Sequence, residues 1–320
     1  MNKFDKLKTR LREKAKLNFS LKDYTTLQIG GLAKIFIEVE AEKELIKALK
    51  EAQKLGIEVI IIGEGSNLLV SEKGYNGLVI RNKIEGVGGK GNEIIAKAGT
   101  SLQKLVNFAV DHGFSGMEKM TGIPGTVGGA IYGNAGAYGQ TISDTLLRIK
   151  VFDGKKVKWM LKKDCGFSYR ESIFKKTGAV ILEGEFLLSH SPVDLLRTVA
   201  ASTLKIRQEK YLPGMLCPGS FFKNVEVDNL SKHQLSKIPR EKILYGKVPA
   251  GYLLESVGAK GTRLGDIKIA DYHANLLINL GNGKASDFYK LARKFQERVK
   301  DKFGIKLEPE VQLLGFDRKL

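Results

Sequence analysis

Apolar positions near the start of the chain, Phe4, Leu7 and Leu11, recur at helical spacing among Lys3, Lys6, Lys8, Arg10, Arg12, Lys14 and Lys16, which predicts an amphipathic opening helix with a solvated basic face. The period shortens to two over 34–39, a strand, and lengthens again at Leu45, Ala48, Leu49, Ala52 and Leu55, a helix over 41–55 that Gly56 should close. The unbroken apolar run 59–62 is expected as a buried strand and completes a β-α-β unit. Strand-like runs follow at 78–81 and 93–98. A helix then opens at Ser101, carries Leu102, Leu105, Val106, Phe108, Ala109 and Val110, and ends at Gly113. Further on, 149–152 and 155–160 read as a hairpin around Asp153-Gly154, 179–186 as a strand, and Ser191-Pro192 as the start of a helix running to about Arg207. The last third predicts a helix opening at 249–255, a strand over 276–280, a long helix over 287–303 ended by Gly304, and a final strand over 307–311.

The pattern breaks at 121–139, TGIPGTVGGAIYGNAGAYG, where seven glycines fall in nineteen residues. Ile123, Val127, Ile131 and Tyr132 are interleaved with them, so the stretch should pack and not hang in solvent. Glycine permits φ > 0 and close backbone approach, and successive N–H groups freed in this way form an anion cradle. By spacing alone, a buried loop between core elements and a nucleotide site are equally good readings. A second turn, Gly63-Glu64-Gly65-Ser66-Asn67-Leu68-Leu69, stands directly after the 59–62 run, with Ser66 and Asn67 adding side-chain donors. It lacks the Gly-Lys-Ser/Thr of a Walker loop and the third glycine of a dinucleotide fingerprint, and alone it could be a tight turn. Gly86, Gly88 and Gly91 match GxGxxG formally, but no helix opens after them; a glycine-rich hairpin is expected there.

Composition narrows the class. The 320 residues, 42% hydrophobic and 28% charged, read as an ordinary soluble globular protein with room for two or three domains. No run approaches the roughly 18 apolar residues of a membrane span, and the N-terminus lacks an apolar signal core, so a cytoplasmic protein is expected. Cys165 and Cys217, with scattered His112, His190, His233 and His273, show no metal-ligand spacing; no metal is expected. The net charge of +18 is spread along the chain without a groove-reading helix or a stacking sheet, which favours a lysine-rich surface or an anionic substrate over nucleic acid.

Six motifs in order, IGEGSNLLV, GIPGTVGGAIYGNAGAYG, FSYRESIFK, PGSFFKN, HANLLIN and LEPEV, resemble the UDP-N-acetylenolpyruvoylglucosamine reductase (UDP-N-acetylmuramate dehydrogenase) family from about Asp23 to Gly315. The short span from Arg170 to Ser220 is similar to the family's second type, which lacks an extra loop whose tyrosine closes over the substrate diphosphate. The resemblance implies an α+β fold: a vanillyl-alcohol-oxidase (PCMH) type FAD-binding fold in two lobes, expected at 21–82 and 83–206 after the opening helix of 1–20, and a C-terminal α+β substrate-binding domain at 207–320. It implies non-covalent FAD, with NADPH as co-substrate, in reduction of UDP-N-acetylglucosamine enolpyruvate to UDP-N-acetylmuramate, a step of peptidoglycan synthesis. A monomer is expected, with no nucleic-acid or membrane partner.

Residue by residue, the resemblance places FAD on Gly63, Glu64, Gly65, Ser66, Asn67 and Leu68, and on Pro124, Gly125, Thr126, Gly128, Gly129, Asn134 and Gly136. Arg170 matches the catalytic arginine, with Tyr169 lining the same pocket; taken alone, Arg170 reads as a surface charge. Ser220, otherwise a turn donor without a visible His-Asp relay, matches the general acid that protonates C2 after hydride passes from flavin N5 to C3, and Glu310 completes the catalytic trio. Lys223 and Asn224 are expected to bind phosphates or to organise the site. Arg207 and Lys210 are expected at the substrate diphosphate or on solvated surface, and Glu255 is a substrate-contact candidate. Two departures stand out: Val225 where the family commonly has proline, and Tyr252 where it often has tryptophan. His273 reads as a structural histidine. The alternatives are another flavoenzyme of this fold, in which Arg170, Ser220 and Glu310 have other jobs, and a flavin-free basic module that binds nucleic acid.

Overall fold

A computed structural model describes residues 2–317 and 320. In chain order the principal elements are α1 (Lys3–Leu11), β1 (Lys16–Ser20), β2 (Leu32–Val39), α2 (Glu42–Lys54), β3 (Val59–Ile62), β4 (Leu68–Val70), β5 (Tyr75–Asn82), β6 (Val87–Lys90), β7 (Glu93–Lys97), α3 (Leu102–Asp111), α4 (Val127–Gly133), β8 (Leu146–Phe152), β9 (Val157–Leu161), β10 (Val180–Leu187), α5 (Val193–Lys210), α6 (Ala250–Glu255), β11 (Ile267–Ile269), β12 (Leu277–Asn279), α7 (Ala285–Phe303) and β13 (Gln312–Leu314). The chain forms two compact units. The first runs through Phe19 and takes in Ala33–Glu64 and Asn76–Tyr211; the second takes Ser20–Leu32, Gly65–Tyr75 and the chain from Leu212 onward. The segments at 20–32 and 65–75, expected within the first flavin lobe, thus pack with the C-terminal residues. Both expected lobes otherwise lie in one unit. Among the described residues no helix is long and apolar enough to cross a membrane.

The first unit holds two sheets. One has the order β1-β2-β5-β3, with β3 and β5 parallel from Val59↔Leu78 to Ile62↔Arg81. α2 follows β2 and buries Leu45, Ala48 and Ala52 in a core shared with Ile35, Ile37, Leu78 and Ile80. The β-α-β order of 34–62 is present, but β5 lies between β2 and β3. β3 is therefore an edge strand and only Ile62 of it is buried, where a buried strand was expected. The second sheet, β9-β8-β10-β7-β6, is antiparallel throughout. The decoy fingerprint resolves as the β6–β7 hairpin, with Gly88 paired to Ile95 and Gly89 to Ile94. In the second unit α7 buries Phe288, Leu291, Phe295, Val299 and Phe303 against Phe221, Phe222, Leu253 and Leu254, while β13 pairs parallel to β4.

Three of the differences in boundary have a clear physical reason. The opening helix stops at Leu11, because Arg12 turns to φ 62 and the apolar spacing tightens to two at Ala15, Leu17 and Phe19, giving β1; Phe19 stacks on Phe36 at 4.3 Å. α5 begins at Val193 with Pro192 as its cap residue and no side-chain capping bond, so Ser191 does not cap it. The strand expected over 307–311 starts only at Gln312; Pro309 has no N–H to give a ladder and makes a single bridge to Phe222.

The β8–β9 hairpin turns on Asp153. Its carboxylate accepts from the N–H of Lys155 (3.0 Å) and Lys156 (2.9 Å) and pairs with Lys158 at 3.0 Å, contacts that hold its pKa far below the usual carboxylate value. A depressed carboxylate pKa contributes stability above the unfolded value of 3.8, and the contribution fades as pH falls through the folded value. Asp153→Ala should lower the thermal midpoint at pH 7, and its deficit against wild type should shrink on acidification below about pH 4. Thermal melts across pH 2–7 check this, and a deficit independent of pH would refute it.

Candidate active site

Most of the glycine-rich stretch is spent on the protein itself. Thr126 caps α4, its Oγ1 accepting from Gly129 N at 3.3 Å. The next donors turn inward: Val127 N bonds Thr100 O and Gly128 N bonds Ala98 O, each at 2.8 Å. Gly128 is glycine because a Cβ there would lie 2.9 Å from that of Ala98. The row of freed N–H groups expected here is therefore absent at Val127–Gly129. Gly125 N turns toward an anion, the Glu64 carboxylate at 2.9 Å, while Pro124 has no N–H to offer.

Donors are instead left in the GEGSN turn: among the described residues the N–H groups of Glu64, Gly65 and Asn67 find no acceptor. Gly65 takes φ 67, and a Cβ on it would sit 1.9 Å from the carbonyl of Tyr24, so only glycine allows this turn. Leu68 begins β4, and the Asn67 side chain donates to the Glu310 carbonyl at 3.1 Å. Gly63 lies against Thr126, whose Oγ1 would be 2.5 Å from an added Cβ. Asn134 ends α4 with φ 43; it is 5% exposed, gives its amide N–H to Ser168 O at 2.9 Å, and keeps its Oδ1 buried without a donor among the described residues. Two of these features would suit parts of FAD. Unpaired backbone donors suit its diphosphate, and a buried orphan acceptor suits an N–H at the rim of a heteroaromatic ring.

Arg170 sits on the same loop system. It holds the third position of the tight turn Ser168–Glu171, closed by Ser168 N to Glu171 O at 3.2 Å and the reverse bond at 3.1 Å. Its φ of 57 is one that side chains rarely take. The guanidinium donates to Gly136 O at 3.0 Å and, at a longer 3.4 Å, to Asn134 O, and lies 5.3 Å from the centre of the Tyr169 ring. Ser172 Oγ fastens the next residue to Tyr132 O at 2.7 Å. Burial and then the Glu171 charge push the Tyr132 phenol pKa up, so it stays neutral beside the loop. Lys175, the last residue of FSYRESIFK and without an assigned role there, donates to the carbonyl of Arg170. At the end of α5, Arg207 lies against Gly122 with its Nε buried and without a hydrogen bond among the described residues, and both Arg207 and Lys210 lie over the Tyr211 ring at 5.2 and 5.1 Å.

In the second unit the structure brings Ser220 and Glu310 together. The segment after Ser220 is pinned on both sides. Glu310 N donates to Phe221 O at 2.8 Å, and Lys223 N donates to Glu308 O at 2.9 Å. Opposite, Phe221 N meets Asn275 O at 3.0 Å, while Asn275, 2% exposed, accepts from Phe222 N at 2.9 Å and donates to Phe222 O at 2.8 Å. Asn275 stood in HANLLIN with no role assigned; a polar side chain inside an apolar run was the available signal. His273 Nδ1 accepts from Asn275 N at 3.2 Å, in keeping with its structural reading. Lys223 pairs with Glu308 at 3.2 Å, and Asn224 Oδ1 accepts the first N–H of α6, from Ala250, at 3.1 Å. Val225 enters a two-residue strand paired to Val248, which a proline would restrict. Glu255 lies at the exposed end of α6 in an ion pair with Lys260 at 2.6 Å.

Comparison with known proteins matches residues 33–156 to an FAD binding domain and residues 213–314 to the C-terminal domain of UDP-N-acetylenolpyruvoylglucosamine reductase. The chain is 41% identical over 293 residues to the UDP-N-acetylenolpyruvoylglucosamine reductase of Solibacter usitatus, covering 91% of this chain and 94% of that one. It is 38% identical to the reductase of that name from Caldicellulosiruptor bescii, covering 92% and 89%. Among solved structures, the crystal structure of UDP-N-acetylenolpyruvylglucosamine reductase from Thermus caldophilus superposes with a TM-score of 0.75 at 32% identity, covering 95% of this chain and 99% of that one.

Asn275→Ala leaves the N–H and carbonyl of Phe222 buried without partners, which should cost about 2–4 kcal/mol. Urea denaturation of the variant checks this. A loss below about 1 kcal/mol would mean that the Ser220 segment does not depend on Asn275.

Proposed function

The chain belongs to the UDP-N-acetylenolpyruvoylglucosamine reductase family, and from that premise we propose how its own residues divide the chemistry. It is an FAD-dependent oxidoreductase, a UDP-N-acetylmuramate dehydrogenase, that reduces UDP-N-acetylglucosamine enolpyruvate with NADPH as co-substrate in peptidoglycan synthesis. The observation that carries this is the presence on one chain of the FAD-domain match and the reductase C-terminal match.

FAD, held by the GEGSN turn and the Asn134 loop, would supply the hydride chemistry between NADPH and the enolpyruvyl group. The GEGSN turn offers N–H groups to the diphosphate, and Asn134 Oδ1 offers an acceptor. Arg170 holds the substrate carboxylate: its fork never deprotonates, and it faces the charge that grows at C2 and the carboxylate as the double-bond electrons move there. Its tether to the Gly136 carbonyl supports this role by fixing the fork before substrate arrives. Ser220 gives its hydroxyl proton to C2, and water then restores the proton. An alcohol is a weak acid, so the step requires a carbon already rich in negative charge and neighbours that bear the resulting alkoxide. Glu310 serves as a hydrogen-bonding partner at the same end of the reaction, favourable as the neutral acid or through a cation. Lys223 supplies positive charge for the nucleotide phosphates, and Asn224 organises the site through α6.

Visible spectra test the reading. NADPH added without oxygen should bleach the flavin bands, and the enolpyruvyl substrate should restore them. Ser220→Ala should slow the second phase about 10²–10⁴-fold and leave the first nearly unchanged. Bleaching that the substrate cannot reverse in the wild type would point to a flavoenzyme of different substrate. A variant in which both phases keep their wild-type rates would remove Ser220 as the acid.

A further inference from the structure

We propose that Lys175 is a positioning residue for the reduction of the enolpyruvyl group, holding the Arg170 turn in the conformation that presents the guanidinium. The inference rests on the reading of Arg170 as the group that binds the substrate carboxylate. Arg170 occupies the turn position where φ > 0 is required, at φ 57, so the backbone there is strained and needs support from its surroundings. That support is in place. Lys175 Nζ donates to the carbonyl of Arg170 itself, and its side chain is only 16% exposed.

The lysine is in turn held from a rigid base. It lies on the one-turn helix Phe174–Thr177, anchored by Phe174 at 2% exposure and by Ile173 N bonding Cys165 O at 2.9 Å. The ammonium also pairs with the Glu171 carboxylate at 3.4 Å, a long and 35% exposed contact that offsets part of the cost of a second cation close to the Arg170 guanidinium. The bond to the Arg170 carbonyl is charge-assisted and bears directly on the strained residue. Lys175 therefore bonds the backbone side of the turn while Gly136 and Asn134 carbonyls bond the side chain, and the arginine is gripped at both ends.

Stopped-flow measurement of flavin reduction by NADPH and of its reoxidation by UDP-N-acetylglucosamine enolpyruvate, without oxygen, tests this in wild type, Lys175→Met, Lys175→Arg, Arg170→Ala and the Arg170→Ala/Lys175→Met double variant. Lys175→Met should slow reoxidation at saturating substrate about 10- to 100-fold, with a far smaller change in reduction, and Lys175→Arg should recover most of the loss. In the Arg170→Ala background Lys175→Met should add nothing, because its effect runs through the arginine. Calorimetric binding of UDP-N-acetylmuramate to the oxidised holoenzyme should weaken in Lys175→Met only when Arg170 is present.

A normal reoxidation rate in Lys175→Met, an additive loss in the double variant, or equal slowing of both phases would overturn the inference. If Lys175→Met does not retain flavin, Lys175→Gln replaces it: a slow Gln variant beside a fast Arg variant upholds the inference, and equal rates overturn it. The underlying reading fails separately. An Arg170→Ala enzyme that reoxidises at the wild-type rate removes both, whereas a slow Arg170→Ala beside a fast Lys175→Met removes the lysine alone.

Discussion

Asn134 ends α4 in the left-handed region, with φ 43 and ψ 58, and that one backbone choice fastens the glycine-rich loop to the turn that carries Arg170. A helix of seven residues cannot hold itself in place by propensity, least of all one with three glycines. It is held by what happens at its ends. At the start, the first N–H groups bond the Ala98–Thr100 backbone. At the finish, the Asn134 amide bonds Ser168 while its carbonyl, with that of Gly136, accepts from Arg170. Asparagine is one of the few residues with a side chain that tolerates this conformation, and here both its backbone and its amide N–H are employed. Were Asn134 to return to helical dihedrals, the Gly136 carbonyl would swing away and the arginine would lose its acceptor.

Glycine in such loops is usually taken as room for a ligand. Here three glycines serve as room for the protein, while Gly133 and Gly139 meet nothing within 4 Å of an added Cβ. Gly63, Gly128 and Gly136 each stand where a Cβ would strike a neighbour: Thr126, Ala98 and the Gln140 carbonyl, the last at 2.3 Å. Close approach of these backbones satisfies the N–H groups of the helix start internally, so a diphosphate does not compete for them. The donors that remain belong to a turn whose glycine, Gly65, is fixed by contact with Tyr24. The glycines thus act at one remove: they allow the dense packing that holds a few unspent donors and one orphan acceptor in place before a ligand arrives, and it is this pre-organisation that makes backbone groups effective toward charge.

Much of the architecture was legible because it follows local rules. Ser101 caps α3 through Lys104 N, Gly56 follows α2 at φ 59, Gly304 ends α7 at φ 73, and the alternation at 149–160 became a hairpin around Asp153. What was not legible depends on partners distant in sequence. The 59–62 run is apolar enough for a buried strand, yet β5 takes the interior place. The 121–139 stretch suited a nucleotide site and a buried loop equally well, and the N–H groups of Val127 and Gly128 turn inward to carbonyls 27 and 30 positions earlier. The site motifs identified Arg170, Ser220 and Glu310 by resemblance, but nothing local could reveal that Asn275 pins the Ser220 segment from 53 residues away. Long-range hydrogen bonds leave no period in a sequence.

The manner in which Ser220 is held bears on how so weak an acid could act. No relay is needed if the carbon it protonates is already charged; what matters is that the hydroxyl be in place when charge arrives, since an alkoxide is costly and short-lived. Phe221 and Phe222 are 0% and 1% exposed and stack edge to face at 4.7 Å, and their four backbone polar groups are bonded to Asn275 and to the 308–310 segment, including the Phe222–Pro309 bridge. The residue beside them therefore inherits a backbone with little freedom. Glu310 inherits the same rigidity, because its N–H and carbonyl are both bonded. A weak acid fixed in position can outperform a stronger one that must first be brought there, because orientation is settled during folding and is not lost again at each turnover. The fold places its stability behind the serine's backbone, and that is where a proton donor with a high pKa needs it.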